Sequence, residues 1–230
     1  MLGTARSLLI VAVAATSACA RSSTTTAASA VAVHLPVAGV YGGSDTASVV
    51  LVEFGSFACG VCRQFSQSVF PGLDSTYVAR GRLRYRYVDL SPEGVFAYRG
   101  ALSQCLAETE GVSRAKRFVF DSLGGATEAR PTLARAALHS GITPEVLARC
   151  IEAAQTDPRR KQERDAAERL GVRGTPTFIV GHIDGRGRLV GWPYIGLDRP
   201  DSLVRLVDAA SRVLAAPRRG PVARWLAGIT

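Results

Sequence analysis

Lysine is almost absent from this chain: of its 28 basic residues only Lys116 and Lys161 are lysines, and the arginines are scattered rather than clustered with aromatics. The formal net charge of +9 is therefore better read as a bias toward arginine and alanine than as a nucleic-acid surface. Histidine is also scarce, with His34, His139 and His182 far apart. Each reads as a surface or loop residue. There is no second Cys-x-x-Cys to pair with Cys59-Gly60-Val61-Cys62, so the usual four-ligand zinc site has no other half and no metal is expected. No internal repeat and no second domain boundary are visible. The apolar run at 7–18 is too short to span a membrane comfortably.

That run follows Arg6 and ends in small residues, the layout of an export signal over residues 1–20. Two processing readings share the boundary. Ala18-Cys19-Ala20 fits ordinary cleavage, whereas Thr16-Ser17-Ala18-Cys19 resembles a lipobox in which Cys19 would be lipidated. The lipoprotein reading is preferred, because cysteine is rare in signals and the following stretch, rich in Ser, Thr and Ala, suits a flexible tether over 21–36. One domain is expected from 37 to 215, followed by a basic C-terminal tail at 216–230.

Within the domain, Val49 to Phe54 is an apolar, β-branched run suited to a strand buried on both faces. Cys62, Phe65, Val69 and Leu73 recur at helical spacing, which predicts a helix from about Cys59 with Pro71 as a kink or early stop. Arg82 to Val88 alternates polar and apolar residues as a second strand. From about 95 to 155 the pattern is helical: Phe96–Glu110, Arg114–Ser122, Leu133–His139, and a helix capped by Thr143 with Pro144 in its first turn. A helix from Asp157-Pro158 to Leu170, strands Thr177–Val180 and Arg188–Trp192 around a turn at Asp184 to Gly187, and an amphipathic helix through Leu203 to Leu214 complete the order βαβ, helices, ββα.

The pair Cys59 and Cys62 carries the chemistry. At a helix N-terminus, unpaired N–H groups and the positive end of the dipole stabilise a thiolate, so Cys59 becomes the better nucleophile and leaving group. Cys62 lies one turn deeper, able to close a disulfide and to resolve a mixed one. The reaction needs no cofactor.

Val52-Glu53-Phe54-Gly55-Ser56-Phe57-Ala58-Cys59-Gly60-Val61-Cys62, taken with Leu170 to Val180 and its Gly174-Thr175-Pro176-Thr177, resembles the DsbA-like branch of the thioredoxin superfamily. The resemblance covers about Val37 to Leu214. It implies an α/β thioredoxin fold with an inserted α-helical subdomain at about 95–155. It also implies a cis Pro176 facing the redox pair, with Thr175 pairing to the substrate peptide through its backbone. Glu53 takes the place of a buried acid beneath the resolving cysteine, positioned to exchange a proton with Cys62. A structural disulfide between Cys105 and Cys150 is expected in the insertion, since some DsbA-like proteins carry a second bridge there.

The resemblance implies a monomeric, exported protein-dithiol oxidase. Reduced exported proteins would be its substrates, a membrane quinone-linked thiol oxidase would reoxidise it, and no nucleic acid is involved. Gly60-Val61 departs from the histidine-containing dipeptide of the best-known oxidases, which leaves a disulfide reductase or isomerase as the alternative direction. A non-enzymatic, peptide-binding lipoprotein on the same fold is the alternative of another class.

Overall fold

The computed structural model describes residues 30–35, 42–92, 95–122, 135, 137–138, 141–155 and 159–215. Among the described residues five strands form one sheet, in the order β1-β5-β4-β2-β3. They are β1 (Val31–Val33), β2 (Val49–Gly55), β3 (Leu83–Asp89), β4 (Thr177–Ile183) and β5 (Leu189–Ile195). Central β2 is buried along its whole length, as its unbroken apolar run requires. It pairs parallel with β3 and antiparallel with β4, and β4 and β5 form an antiparallel hairpin.

Successive residues of β2 feed opposite faces of the sheet. Val49 and Leu51 point into a core with Phe65, Phe70, Tyr85, Phe178, Leu203 and Val207. That face is covered by the helix after Cys59, by α7 (Pro200–Ala215), and by α3 (Val95–Glu110) and α4 (Val112–Ser122) of the insertion. Val50, Val52 and Phe54 point the other way, against Ala166 and Ala167 of α6 (Arg159–Arg169). Between α4 and α6 the insertion continues with α5 (Pro144–Gln155), whose Thr143 Oγ1 accepts from the Val146 N–H at 3.4 Å. The fold is thus the thioredoxin fold with a helical subdomain inserted between βαβ and ββα.

Four local expectations need correction. The tether read over 21–36 contains Val31–Val33, which form edge strand β1 against β5; three residues in an Ala- and Thr-rich stretch are too few to show a period. Pro71 does not stop the helix. After α1 (Gly60–Gln64), Phe65–Val69 wind as a π turn and place Pro71, which has no N–H to donate, in the first turn of α2 (Phe70–Leu73); a second π turn carries the helix to Val78. The alternation in β3 suggests a solvent-facing side, yet Arg86 is only 1% exposed and pairs with buried Glu163 of α6. Finally, β5 runs through Pro193 to Ile195 and β4 includes His182. Pro193 lies beyond the stretch of β5 that pairs with β1, where a missing N–H is tolerated. The Leu133–His139 helix, residues 1–29 with Cys19, Asp157-Pro158 and the 216–230 tail lie largely or wholly outside the described residues.

Candidate active site

Strand β2 ends at Gly55 and hands the chain to a loop, Ser56 to Ala58, that delivers Cys59 as the N-cap of α1. Cys59 has extended backbone angles (φ −93°, ψ 119°), and its Sγ accepts the Cys62 N–H at 3.3 Å. The sulfur therefore occupies the place that a serine or aspartate oxygen takes in an ordinary N-cap. Cys62 is fully buried beneath it, while Cys59 is partly exposed and both are free thiols. Gly60 begins the helix and Val61 is exposed.

Across from the pair, the Thr175–Pro176 peptide bond is cis and the Thr175 carbonyl accepts from the Cys59 thiol at 3.3 Å. The far side of this loop is tied down by the Gly196 N–H bonding to the Pro176 carbonyl and by the Thr177 hydroxyl bonding to the Gly174 carbonyl.

The two thiols are pushed in opposite directions. Burial works against ionising Cys59, but contacts with Thr175 and Cys62 and the N–H groups of Cys62 and Val61 outweigh it, so its pKa falls below the ordinary thiol value. The N–H groups are the donors a thiolate needs, whereas the Thr175 carbonyl is an acceptor and belongs with the neutral thiol. Cys62 is held far above the ordinary value by burial first, then by the negative charge of Glu53 and the contact with Cys59.

Glu53 is completely buried, on the side of the sheet that carries the Cys59 helix. One carboxylate oxygen accepts from the Tyr85 hydroxyl at 2.6 Å and from Lys116 Nζ at 2.5 Å, and the same ammonium reaches the Tyr85 oxygen at 2.8 Å. Lys116 is itself fully buried, with Nζ 4.7 to 5.7 Å from the ring centres of Phe65, Tyr87, Phe70, Tyr85 and Phe120. Five π faces and one carboxylate thus replace the water that the ammonium gives up. Burial raises the Glu53 pKa, against the opposing pull of Lys116 and Tyr85; burial lowers that of Lys116, against the pull of Glu53.

Lys116 went unread in the sequence. Its signal was there: Val112, Ala115, Val119 and Phe120 mark the buried side of α4, and Lys116 sits on that same stripe, one of two lysines in the chain. Cys105 and Cys150 are joined by a disulfide that links α3 to α5, with Cα atoms 5.2 Å apart. Among the described residues, no three His, Cys, Asp or Glu side chains gather as metal ligands, and no helix is long and apolar enough to cross a membrane.

A family model described as thioredoxin matches residues 37–187. The chain belongs to the thioredoxin family. Within that family its fold is DsbA-like. It superposes on α-DsbA1 of Wolbachia pipientis with a TM-score of 0.66 at 20% identity, covering 78% of this chain and 94% of that one. On oxidised BdbD of Bacillus subtilis the TM-score is 0.64 at 17% identity, covering 80% and 98%. On DsbA of Chlamydia trachomatis it is 0.61 at 19%, covering 79% and 95%. By sequence, the thioredoxin-family chain is 22% identical over 149 residues to disulfide bond formation protein D of Bacillus subtilis, covering 60% of its own length. The match spans 65% of that relative.

Proposed function

We propose that this chain is a DsbA-like protein-disulfide oxidoreductase that donates the Cys59–Cys62 disulfide to reduced exported proteins. The observation that carries the reading is the asymmetry of the two thiols: one partly exposed, N-capping a helix with lowered pKa and in contact with the Thr175 carbonyl, the other buried with raised pKa.

In the proposed reaction a substrate thiolate attacks Cys59 Sγ, a substrate–Cys59 bond forms, the Cys59–Cys62 bond breaks, and Cys62 leaves with the electron pair. Because the Cys62 thiol is favoured over its thiolate, it takes up a proton, and we assign the exchange of that proton to Glu53, whose neutral form burial favours. A second substrate thiolate then attacks the substrate sulfur and releases Cys59 as a stabilised thiolate. Two electrons remain on the pair, and a membrane quinone-linked thiol oxidase removes them. The Thr175 backbone beside Cys59 would pair with the substrate peptide while the sulfurs exchange. Export is assigned to the signal at residues 1–20, with lipidation of Cys19 preferred over simple cleavage.

The test is oxidation of a reduced dithiol peptide by the oxidised chain. One disulfide per protein is expected to be transferred, and Cys59→Ala is expected to be inert; equal turnover by both would refute the enzyme reading. The reductase direction is favoured by one feature, the absence of a polar side chain in Gly60-Val61. The reduction potential of the couple separates the two, since oxidases of this type lie near about −120 mV and thioredoxin-type reductants near about −270 mV.

A further inference from the structure

The loop that carries Cys59 is held from the side by the end of β3. Asp89, the last residue of β3, stands opposite Gly55, and the Leu90 N–H donates to the Gly55 carbonyl at 2.8 Å. Two residues on, buried Ser91 gives both its N–H (3.2 Å) and its hydroxyl (2.5 Å) to a single Asp89 oxygen, Oδ1. Ser91 Oγ in turn accepts the Phe57 N–H at 2.9 Å and lies 3.3 Å from Ser56 Oγ. Ser56 Oγ accepts the Ala58 N–H at 3.1 Å, and the Ser56 carbonyl accepts the Cys59 N–H at 3.0 Å.

A carboxylate can only accept hydrogen bonds. With Asp89 ionised, the Ser91 proton is committed to it, so Ser91 Oγ can only accept from the loop, and every bond from Asp89 to Cys59 then points one way. We infer that Asp89 is a positioning residue for Cys59, acting through Ser91 and the backbone of Ser56 to Ala58, and that its ionised form fixes the sense of this hydrogen-bond chain. The inference rests on the reading of Cys59 as the sulfur that substrate meets.

The surroundings of Asp89 make its charge conditional. It is buried and lines a cavity of about 20 Å³ with Arg86, Tyr87, Gly100, Ser103 and Glu163. From α3, Gly100 rests on the carboxyl so closely that a Cβ there would lie 1.9 Å from Asp89 Oδ2, and its chain neighbour Arg99 is also buried. From α6, Arg160 attracts the carboxylate and Glu163, paired with Arg86, repels it. Burial is the largest influence and raises the Asp89 pKa to about 6, against the Ser91 bonds and Arg160, which lower it. Because the folded-state pKa lies above that of the unfolded chain, the stability contributed by the neutral acid is present at low pH and is lost as pH rises through about 6. Over the same interval the charge-assisted bond from Ser91 is gained. Stability and positioning therefore move in opposite directions, which a purely structural carboxylate would not do.

The experiment uses the full chain in its oxidised form between pH 4.5 and 8, with Asp89 and the Phe57 and Ala58 amides followed by NMR and oxidation of a reduced dithiol peptide followed by stopped flow. Once the peptide's own thiolate fraction is divided out, the wild-type rate should rise about fivefold across the Asp89 titration, the equivalent of one net hydrogen bond. The Phe57 and Ala58 amides should shift with the same midpoint. Asp89→Asn and Ser91→Ala should lose the step while urea melts show them folded, and Ser91→Thr should restore it. A peptide left unoxidised at every pH would overturn the proposed function alone, because the wild-type NMR titration still tests the network. Amides that ignore the Asp89 titration, or a step that survives in Ser91→Ala, would overturn the inference.

Discussion

Replacing Lys116 with methionine should destabilise the protein by an amount that depends on pH, and the structure sets the size. The substitution keeps an unbranched side chain among Phe65, Phe70, Tyr85, Tyr87 and Phe120, so packing is largely conserved. What is lost is the partner of Glu53, which keeps only the Tyr85 hydroxyl at 2.6 Å. Removing one member of a buried pair costs about 3–5 kcal/mol. The carboxylate has an escape, however: it can take up a proton and fold neutral.

Relative to an unfolded glutamate of pKa about 4.3, neutralising it costs about 1 kcal/mol at pH 5 and about 3.7 kcal/mol at pH 7. The sign follows from the direction of the shift. Burial already raises the Glu53 pKa in the presence of Lys116, and removing the lysine raises it further. The variant's deficit is therefore small near the unfolded pKa and grows as pH rises toward the folded one. Urea denaturation of wild type and Lys116→Met at pH 5, 6 and 7 should show a gap widening by roughly 2–3 kcal/mol over that range. Glu53→Gln combined with Lys116→Met should flatten it. A gap independent of pH would show that Lys116 acts through packing alone and would refute the reasoning.

Two further outcomes complete the set. Given a model peptide that carries a disulfide, Cys62→Ala should let the Cys59 thiolate attack it and displace one peptide thiolate with nothing to resolve the product, so a mixed disulfide should accumulate on a non-reducing gel; its absence would mean that Cys59 is not the sulfur first engaged. Converting both Cys105 and Cys150 to alanine should lower stability by up to about 4 kcal/mol on the chain-entropy account of a loop with a sequence separation of 45, while peptide oxidation by the folded fraction stays within about twofold because the bridge joins α3 to α5, neither of which carries Cys59.

What could be read from the sequence was local chemistry with a strong positional signature. Two cysteines at helical spacing after an apolar strand place a thiol pair at a helix N-terminus, whereas the opposing Thr175-Pro176 loop came only from the resemblance to DsbA-like proteins. The π turns around Pro71 could not be read, because periodicity assumes a constant number of residues per turn. The Arg86–Glu163 pair was hidden for a different reason: alternation along β3 reports polarity, and polarity implies exposure only when nothing covers that face, whereas α6 covers it. Lys116 and Asp89 escaped notice because their roles depend on contacts across 63 residues to Glu53 and 34 residues from Ser91 to Phe57, and no short-range pattern encodes them.

The position of Lys116 has a consequence for how the chain can be cut. An inserted subdomain invites treatment as an accessory that can be trimmed to leave a minimal thioredoxin. Here that surgery would remove α4, and with it the countercharge of an acid that β2 retains. The truncated protein would expose part of the ring cluster and bury a carboxylate with one hydroxyl for company. Scaffold and insertion are therefore one cooperative unit, and any excision that succeeds must carry a compensating change at Glu53, such as leucine, to make the remaining interior self-sufficient.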